Sequence, residues 1–350
     1  LLLTSCLPTP PPQPVATSQP NPLPTETPAP TRTLTLTPLP ATSTPTSLPT
    51  ATPTLFPMSI QAMRQASYPG SDITLEQELT PGTNYQRYYA SYLSQGLKIY
   101  ALLTIPNGDP PRGGWPGIVF NHGYIPPKQY RTTERYIAYV DWLARAGYVV
   151  FRIDYRGNAS SEGQARGAYG DPGYTVDVLN AVASLQRYPS VNPRKIGMWG
   201  HSMGGFLTLR AMVISPEIKA GVIWAGVVGT YDDLLYHWRH YGPTPTPNPD
   251  SLNWRQTWLD QYGTPQQNPA FWDTVTSNAW VSDLSGPLQL HHSLEDSEVP
   301  EAFSEELAQQ IRQVGGSVEL YTYPGDDHNL ANSFSLAMTR TIEFFDRYLK

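Results

Sequence analysis

The chain has one cysteine, no basic cluster and, after its first residues, no long hydrophobic run. Because Cys6 is the single cysteine among 350 residues, an intrachain disulfide is excluded. The net charge of −6 and the lack of clustered Lys and Arg argue against a nucleic-acid partner, since the phosphate backbone is bound through such clusters. No later segment approaches the ~20 apolar residues that a membrane-spanning helix needs.

Nucleotide and metal sites are also without support in the sequence. No G-x-G-x-x-G or P-loop pattern follows a predicted strand, so no nucleotide cofactor is expected. His237 and His240 have helical spacing, and His291 and His292 are adjacent, but neither pair has a third ligand at a recognisable spacing. We therefore expect neither a cofactor nor a metal ion.

The N-terminal part differs in composition from the rest. Residues 7–57 contain 16 Pro and 14 Thr but only two charged residues, a composition that cannot bury a core. Residues 1–6 (LLLTSC) resemble the end of a bacterial lipoprotein signal peptide, and the alternative is an apolar N-terminus with an incidental cysteine. We expect an exported protein that is lipid-anchored to the bacterial cell membrane at Cys6, surface-exposed, with residues 7–57 as a disordered linker.

Residues 58–350 predict one α/β domain. Short apolar strands alternate with amphipathic helices, which is typical of a mostly parallel sheet covered by helices on both faces. Three earlier runs between residues 73 and 105 predict an antiparallel start of the sheet. Residues 229–286 lack a strand of the central type and hold five of the nine tryptophans. We expect them to form a cap over the site, with helical pieces near residues 231–240 and 252–262.

The sequence GHSMGG at residues 200–205 lies between a predicted strand and a predicted helix. So sharp a turn needs glycines beside the serine, and it exposes Ser202 at a helix N-terminus, where backbone N–H groups stabilise an oxyanion. The alternative is an ordinary Gly/Ser turn. The pattern predicts Ser202 as a nucleophile. The expected oxyanion donors are the backbone N–H of Met203 and that of Tyr124, in the loop after an earlier strand.

A serine nucleophile needs a base, and the base needs an acid that holds its tautomer. His328 lies just beyond the last predicted strand, and Asp296 lies beyond the strand before it, with Glu295 as the alternative acid. Either carboxylate could instead cap the helix that Pro300 opens. The chain order Ser202, Asp296, His328 is that of the α/β-hydrolases, and we predict these three residues as the catalytic triad.

Five motifs in this order resemble the catalytic domain of the prolyl oligopeptidase family and its dipeptidyl and acylaminoacyl peptidase relatives, over about residues 95–348. They are NHG at 121–123, DYRG at 154–157, GHSMGG at 200–205, HSLEDSEVP at 292–300 and YPGDDH at 323–328. The resemblance implies an α/β-hydrolase fold and the same triad. Ser293 stands where the family usually has Gly, and too few residues precede the sheet to build the family's β-propeller.

Together, the motifs predict a serine peptidase that cleaves small peptides or acyl amides through an acyl-enzyme. The missing propeller, and the lack of an identifiable counterpart to the acidic residues that hold a peptide N-terminus in the dipeptidyl enzymes, leave a carboxylesterase for small acyl esters as an alternative. A surface binding module that has kept the fold and lost the chemistry is a second alternative. The expected partners are the substrate and, through the lipid, the membrane; the sequence does not predict an oligomeric state.

Overall fold

The computed structural model of the protein describes residues 55–238 and 253–350, together with Asn21. The chain divides into two units, residues 1–52 and 53–350, and the fold presented here is that of the second. Cys6, nearly all of the predicted linker, and His240 with the Pro-rich part of the predicted cap lie outside the described residues. Among those that are described, no helix is long and apolar enough to cross a membrane.

A nine-stranded sheet forms the centre of the second unit, in the spatial order β1-β2-β3-β5-β4-β6-β7-β8-β9. The strands are β1 (Thr74–Leu79), β2 (Tyr85–Ser94), β3 (Leu97–Pro106), β4 (Trp115–Asn121), β5 (Val149–Ile153), β6 (Val191–His201), β7 (Ile218–Trp224), β8 (Leu288–Ser293) and β9 (Val318–Tyr323). The pairs β1-β2, β2-β3 and β3-β5 are antiparallel, and all others are parallel. The predicted parallel sheet with an antiparallel start is confirmed.

Helices cover both faces of this sheet, as expected. They are α1 (Ile60–Gln65), α2 (Ile137–Arg145), α3 (Gly173–Gln186), α4 (Met203–Ile214), α5 (Trp254–Tyr262), α6 (Pro269–Val275), α7 (Ala302–Gln313) and α8 (Phe334–Leu349). The helices α2 and α8 share one apolar cluster, and α3, α4 and α7 share another on the opposite face. Every residue of α4 is buried, because α1 and a short 3₁₀ helix, Ser277–Asp283, cover the side that faces away from the sheet.

The segment between β7 and β8 is helical and rich in aromatic residues. It contains one π-helical turn, Asp233–His237, followed by α5, α6 and the 3₁₀ helix. The rings of Tyr231, Trp258 and Trp272 are buried, with centroids 5.4 to 6.0 Å apart. Phe56 joins them, with its centroid 5.2 Å from that of Trp258. The residues just before α1 therefore pack on the same aromatic cluster as this segment.

Arg210 ties this segment and the start of the fold to α4. Its guanidinium is fully buried and donates to the backbone carbonyls of Met58, which precedes α1, and of Val275, the last residue of α6. A buried cation is costly unless hydrogen bonds replace its lost water. The two carbonyls accept from its two terminal nitrogens, so Arg210 holds both segments on the helix that follows Ser202.

Candidate active site

Ser202 lies in the sharp turn between β6 and α4. Its φ of 55° and ψ of −119° are a conformation that non-glycine residues rarely adopt, at a cost of about 1–3 kcal/mol. Three backbone hydrogen bonds hold the turn: Ser202 N donates to Trp224 O at 3.0 Å, while Ser202 O accepts from Gly205 N at 2.9 Å and Val227 N at 3.1 Å. The strained residue is therefore fixed by β7 and by the first turn of α4.

Close packing explains the glycines beside Ser202. A Cβ atom at Gly200 would overlap the carbonyl of Gly204 and the side chain of Thr208, and a Cβ atom at Gly204 would overlap the carbonyl of Asn121. Only glycines at these positions let the turn fold back on its helix and approach the end of β4. This is the clash that the sequence interpretation of the GHSMGG pattern assumed.

Asp296 and His328 meet beyond the carboxyl ends of β8 and β9. His328 Nδ1 lies 2.7 Å from Asp296 Oδ2, and both side chains are buried. Asp296 Oδ1 accepts from the backbone N–H groups of Glu298 and Val299 at 2.8 and 3.0 Å. Because a carboxylate only accepts, Nδ1 of His328 carries the proton, and Nε2 of the neutral ring is left as the acceptor. A base for a serine hydroxyl needs this tautomer.

The charge state of Asp296 follows from its partners. Burial alone would raise its pKa, but the hydrogen bonds from His292 and His328 outweigh burial and hold the pKa of Asp296 well below its usual range. The alternative acid, Glu295, is exposed, and its Oε2 accepts from Gly325 N at 2.6 Å. The structure therefore brings Asp296, and not Glu295, to His328.

His292 is a second histidine at Asp296, and sequence reasoning considered it only as a metal ligand. Its Nε2 lies 3.2 Å from Asp296 Oδ2 and 3.1 Å from Val299 O, and its Nδ1 lies 2.7 Å from Ser304 Oγ. Since both neighbours of Nε2 are acceptors, Nε2 is the donor. The fully buried ring contacts the same oxygen of the acid as His328 and helps to orient it. The sequence signal that points to it is its position at the end of β8, four residues before Asp296.

His328 is linked to the loop after β4 by a chain of hydrogen bonds. Tyr136 Oη accepts from Gly123 N at 2.9 Å and donates to His201 Nδ1 at 2.7 Å, and His201 Nε2 donates to His328 O at 3.0 Å. Burial lowers the pKa of His201 to about 3, so its ring is neutral and these directions are fixed. Sequence analysis assigned no role to Tyr136 or His201.

The two predicted oxyanion donors belong to residues near Ser202. Gly123 runs so close that a Cβ atom there would be 3.2 Å from Ser202 Cβ. Tyr124 follows it, and Met203 is the first residue of α4. Neither backbone N–H has an acceptor within the described part of the chain. Two unpaired donors near a serine at a helix N-terminus form a site that an oxyanion fits.

The loop that carries Tyr124 rests on buried polar residues. His122 donates from Nδ1 to Gly123 O at 2.6 Å and stacks on Tyr130, with centroids 4.3 Å apart. Asp154, at the end of β5, accepts from Tyr130 Oη at 2.9 Å and from Thr132 Oγ1 at 2.5 Å. Burial raises the pKa of Asp154 to about 7, even though both of these bonds lower it.

Ser202 and His328 are neighbours but are not hydrogen-bonded to each other. The ring of His328 lies 4.6 Å, between centroids, from that of His201, the residue directly before Ser202. The hydrogen bonds of His328 that the structure describes go to Asp296 and His201. In enzymes without substrate the bond between nucleophile and base is often long, and it shortens when the substrate binds.

The histidines weighed as metal ligands have other partners. His291 lies 2.7 Å from both Tyr323 Oη and Gln289 Oε1, and His237 Nδ1 lies 3.1 Å from Asp233 Oδ1. Within residues 55–238 and 253–350, no group of three or more His, Cys, Asp or Glu side chains is placed to hold a metal ion.

Comparison with known families identifies the chain's relatives. The family model described as the prolyl oligopeptidase family matches residues 135–350, more than half of the chain. The chain belongs to the prolyl oligopeptidase family. The resemblance seen in the five motifs and the expectation of a hydrolase are confirmed at this level.

Sequence relatives in the prolyl oligopeptidase family include one of similar length. The chain is 28% identical over 257 residues to the uncharacterized peptidase YtmA of Bacillus subtilis, a match that covers 71% of this chain and 88% of that protein. It is 24% identical to a probable dipeptidyl-aminopeptidase B of Metarhizium robertsii over 70% of this chain, but it spans only 25% of that protein.

Solved structures confirm the predicted α/β-hydrolase fold. The acylaminoacyl peptidase of Pyrococcus horikoshii superposes with a TM-score of 0.60 at 22% identity, over 77% of this chain and 42% of that one. An acetyl xylan esterase from Paenibacillus sp. R4 superposes with a TM-score of 0.57 at 20% identity, over 83% and 92% of the two chains. Members of the prolyl oligopeptidase family and esterases therefore share this fold.

Proposed function

We propose that this member of the prolyl oligopeptidase family is a serine peptidase that cleaves small peptides or acyl amides through an acyl-enzyme. The observation that carries the proposal is the pairing of buried Asp296 with His328 Nδ1 at 2.7 Å. It is joined by Ser202, which is held at φ 55° in the sharp turn between β6 and α4. This pairing leaves His328 Nε2 on the side of the ring that a base for Ser202 would use.

The proposed reaction has two halves. Ser202 Oγ attacks the substrate carbonyl while His328 Nε2 takes the hydroxyl proton, and Asp296 stabilises the resulting imidazolium. The negative charge that develops on the carbonyl oxygen is bound by the N–H groups of Tyr124 and Met203. The carbon–nitrogen bond then breaks as His328 gives its proton to the leaving amine. Water, activated by the same nitrogen, releases the acyl group from Ser202.

Family membership and the peptidase relatives support amide substrates. The alternative, a carboxylesterase, draws support from a different observation: an acetyl xylan esterase superposes on this chain about as well as the acylaminoacyl peptidase does, with TM-scores of 0.57 and 0.60. The catalytic residues serve both reactions, so the scissile bond is a matter for experiment.

Replacement of the nucleophile tests the proposal. Ser202→Ala should lower turnover by about 10⁴- to 10⁶-fold, because residual activity would come only from oxyanion stabilisation and binding. Turnover would be measured with aminoacyl p-nitroanilides, short peptides and p-nitrophenyl acyl esters, and the preferred class is the one with the highest kcat/KM. A fluorophosphonate probe should label the wild type at Ser202.

The same probe tests the second alternative, a surface binding module that has lost the catalytic activity. Wild-type protein that folds but takes up no label, or a Ser202→Ala variant that hydrolyses these substrates at the wild-type rate, would contradict the proposed function. Ser282→Ala, at an exposed hydroxyl bonded to Asp283 away from the active site, is a control that keeps the labelled serine.

Export and a lipid anchor at Cys6 are part of the proposal and rest on sequence alone. The LLLTSC sequence and the Pro/Thr-rich segment support them. With such an anchor, the hydrolase would act on substrates outside the cell.

A further inference from the structure

The loops that carry Asp296 and His328, between β8 and α7 and between β9 and α8, hold six carboxylates, and four of them have a structural use. Each of the four accepts at least one backbone N–H bond from these loops or from the start of α8: Glu295, Asp296, Asp326 and Asp327. Acidic residues in turns commonly serve in this way, by pairing N–H groups that lack other partners.

Apart from Glu301, which directly precedes α7, the carboxylate without such a use is that of Glu298. Its Oε2 lies 3.9 Å from His328 Nε2, the nitrogen that faces the reaction, and its side chain is 60% exposed. No N–H or O–H group within the described residues donates a hydrogen bond to it. The Glu298 backbone, in contrast, is fixed at both ends: its N–H donates to Asp296 Oδ1 at 2.8 Å, and its carbonyl accepts from Trp238 Nε1 at 2.8 Å.

Glu298 therefore has a fixed backbone and an exposed carboxylate near the reacting nitrogen of His328. A side chain placed in this way can contact the substrate. An exposed ion pair is weak, but it strengthens when a ligand covers it and excludes water. The same carboxylate repels a substrate that carries negative charge near the scissile bond.

We propose that Glu298 makes this hydrolase selective for substrates with a positively charged amine next to the scissile bond. This inference rests on the proposed function and adds the substrate class to it. Free amino groups of short peptides, aminoacyl amides and aminoalkyl esters have the required charge, whereas acyl groups that end in a carboxylate are excluded.

Two matched substrate pairs test the selectivity, one for each side of the scissile bond. Alanyl-p-nitroanilide and its N-acetyl derivative differ in charge on the acyl side. Acetylcholine and 3,3-dimethylbutyl acetate have the same shape and differ in charge on the leaving-group side. In the wild type, kcat/KM at neutral pH should favour the cationic member of at least one pair. Glu298→Gln should lower that cationic-to-neutral ratio by about tenfold.

Two controls separate charge recognition from a general loss of activity. Glu305→Gln removes a carboxylate from an exposed position in the first turn of α7, and the wild-type ratio should persist in it. The wild-type preference should also weaken as ionic strength rises, because salt screens the attraction.

The outcomes distinguish this inference from the proposed function. If the wild type turns over the neutral substrates through Ser202 and Glu298→Gln leaves both ratios unchanged, the inference is wrong and the proposed function stands. If the wild type and Ser202→Ala are equally inactive on all four substrates, both are overturned.

Discussion

Two buried carboxylates of this protein have pKa values that move in opposite directions. Asp296 receives hydrogen bonds from two imidazoles and two backbone N–H groups, and its pKa lies below the usual range. Asp154 receives two hydroxyl bonds, and burial raises its pKa to about 7. Asp154 is the more deeply buried of the two and has fewer donors, so its carboxyl holds a proton to a higher pH than that of Asp296.

Asp154 should make stability depend on pH. Between about pH 4 and 7 the folded protein holds a proton on Asp154 that the unfolded chain has released, so the free energy of unfolding should decrease as pH rises through this window. Asp154→Asn cannot ionise and lacks this contribution. Thermal melts of both proteins from about pH 5 to 8 should therefore show the wild type losing stability relative to the variant. Parallel melting curves would contradict the assignment.

At the scale of residues, the sequence was a better guide to the positions of the triad candidates than to the side chains that contact them. Ser202, Asp296 and His328 could be chosen because each follows a predicted strand, and parallel strands bring their carboxyl ends to one edge of the sheet. The contacts of His292 and Glu298 with Asp296 and His328 were not predicted, because they depend on distances that spacing along the chain does not encode.

At the scale of elements, one hydroxyl group joins the loop after β4 to the loop after β9. Tyr136→Phe removes the bonds to Gly123 N and His201 Nδ1. The loop that carries Tyr124 and the loop that carries His328 would then shift independently. We expect kcat to fall by about 10- to 100-fold with a smaller change in KM, because small misplacements of reacting groups affect the chemical step most.

Steady-state kinetics beside a thermal melt would check this effect. Tyr148→Phe is the matched control: it removes a tyrosine hydroxyl bond to Asp346, on α8 and outside the site, and should lower stability without the loss in kcat. Equal kcat losses in the two variants would show that the Tyr136 hydroxyl has only a structural role.

Strands and helices with a clear hydrophobic period were predicted from the sequence, whereas short helices were not. The sequence pattern predicts strands over residues 85–93, 97–105 and 318–323 and helices over 136–146, 302–314 and 334–349. The observed β2, β3, β9, α2, α7 and α8 lie within a few residues of these bounds. The helices α1 and α6 have six and seven residues, too few to show a helical period. The pattern also predicts a strand over residues 220–228, but β7 ends at Trp224 because Ala225 adopts a left-handed φ of 45°.

At the scale of the whole molecule, the fold begins before its first strand. Met58, Ile60 and Met63 are buried, and Phe56 packs on the aromatic cluster. A chain that starts at residue 55 should melt at the temperature of the full chain. One that starts at residue 67 loses three buried apolar side chains, each worth about 1.5–3 kcal/mol, and should melt about 10 °C lower or more.

Differential scanning fluorimetry of the three chains would measure these shifts. Equal melting temperatures for the chains that start at residues 55 and 67 would mean that α1 contributes nothing to stability. The sequence predicted this level of organisation from composition and from the alternation of strands and helices. It could not predict the docking of α1, which depends on the buried guanidinium of Arg210.

The turn at Ser202 is anchored separately from the helical, aromatic-rich segment between β7 and β8. Ser202 is held through Trp224, Gly205 and Val227, all of which precede the aromatic segment that begins after residue 228. Changes within that segment that keep Val275 at Arg210 and the 3₁₀ helix on α4 should therefore leave the geometry of Ser202 intact. Loops of the segment could then be exchanged between relatives with the reacting groups retained.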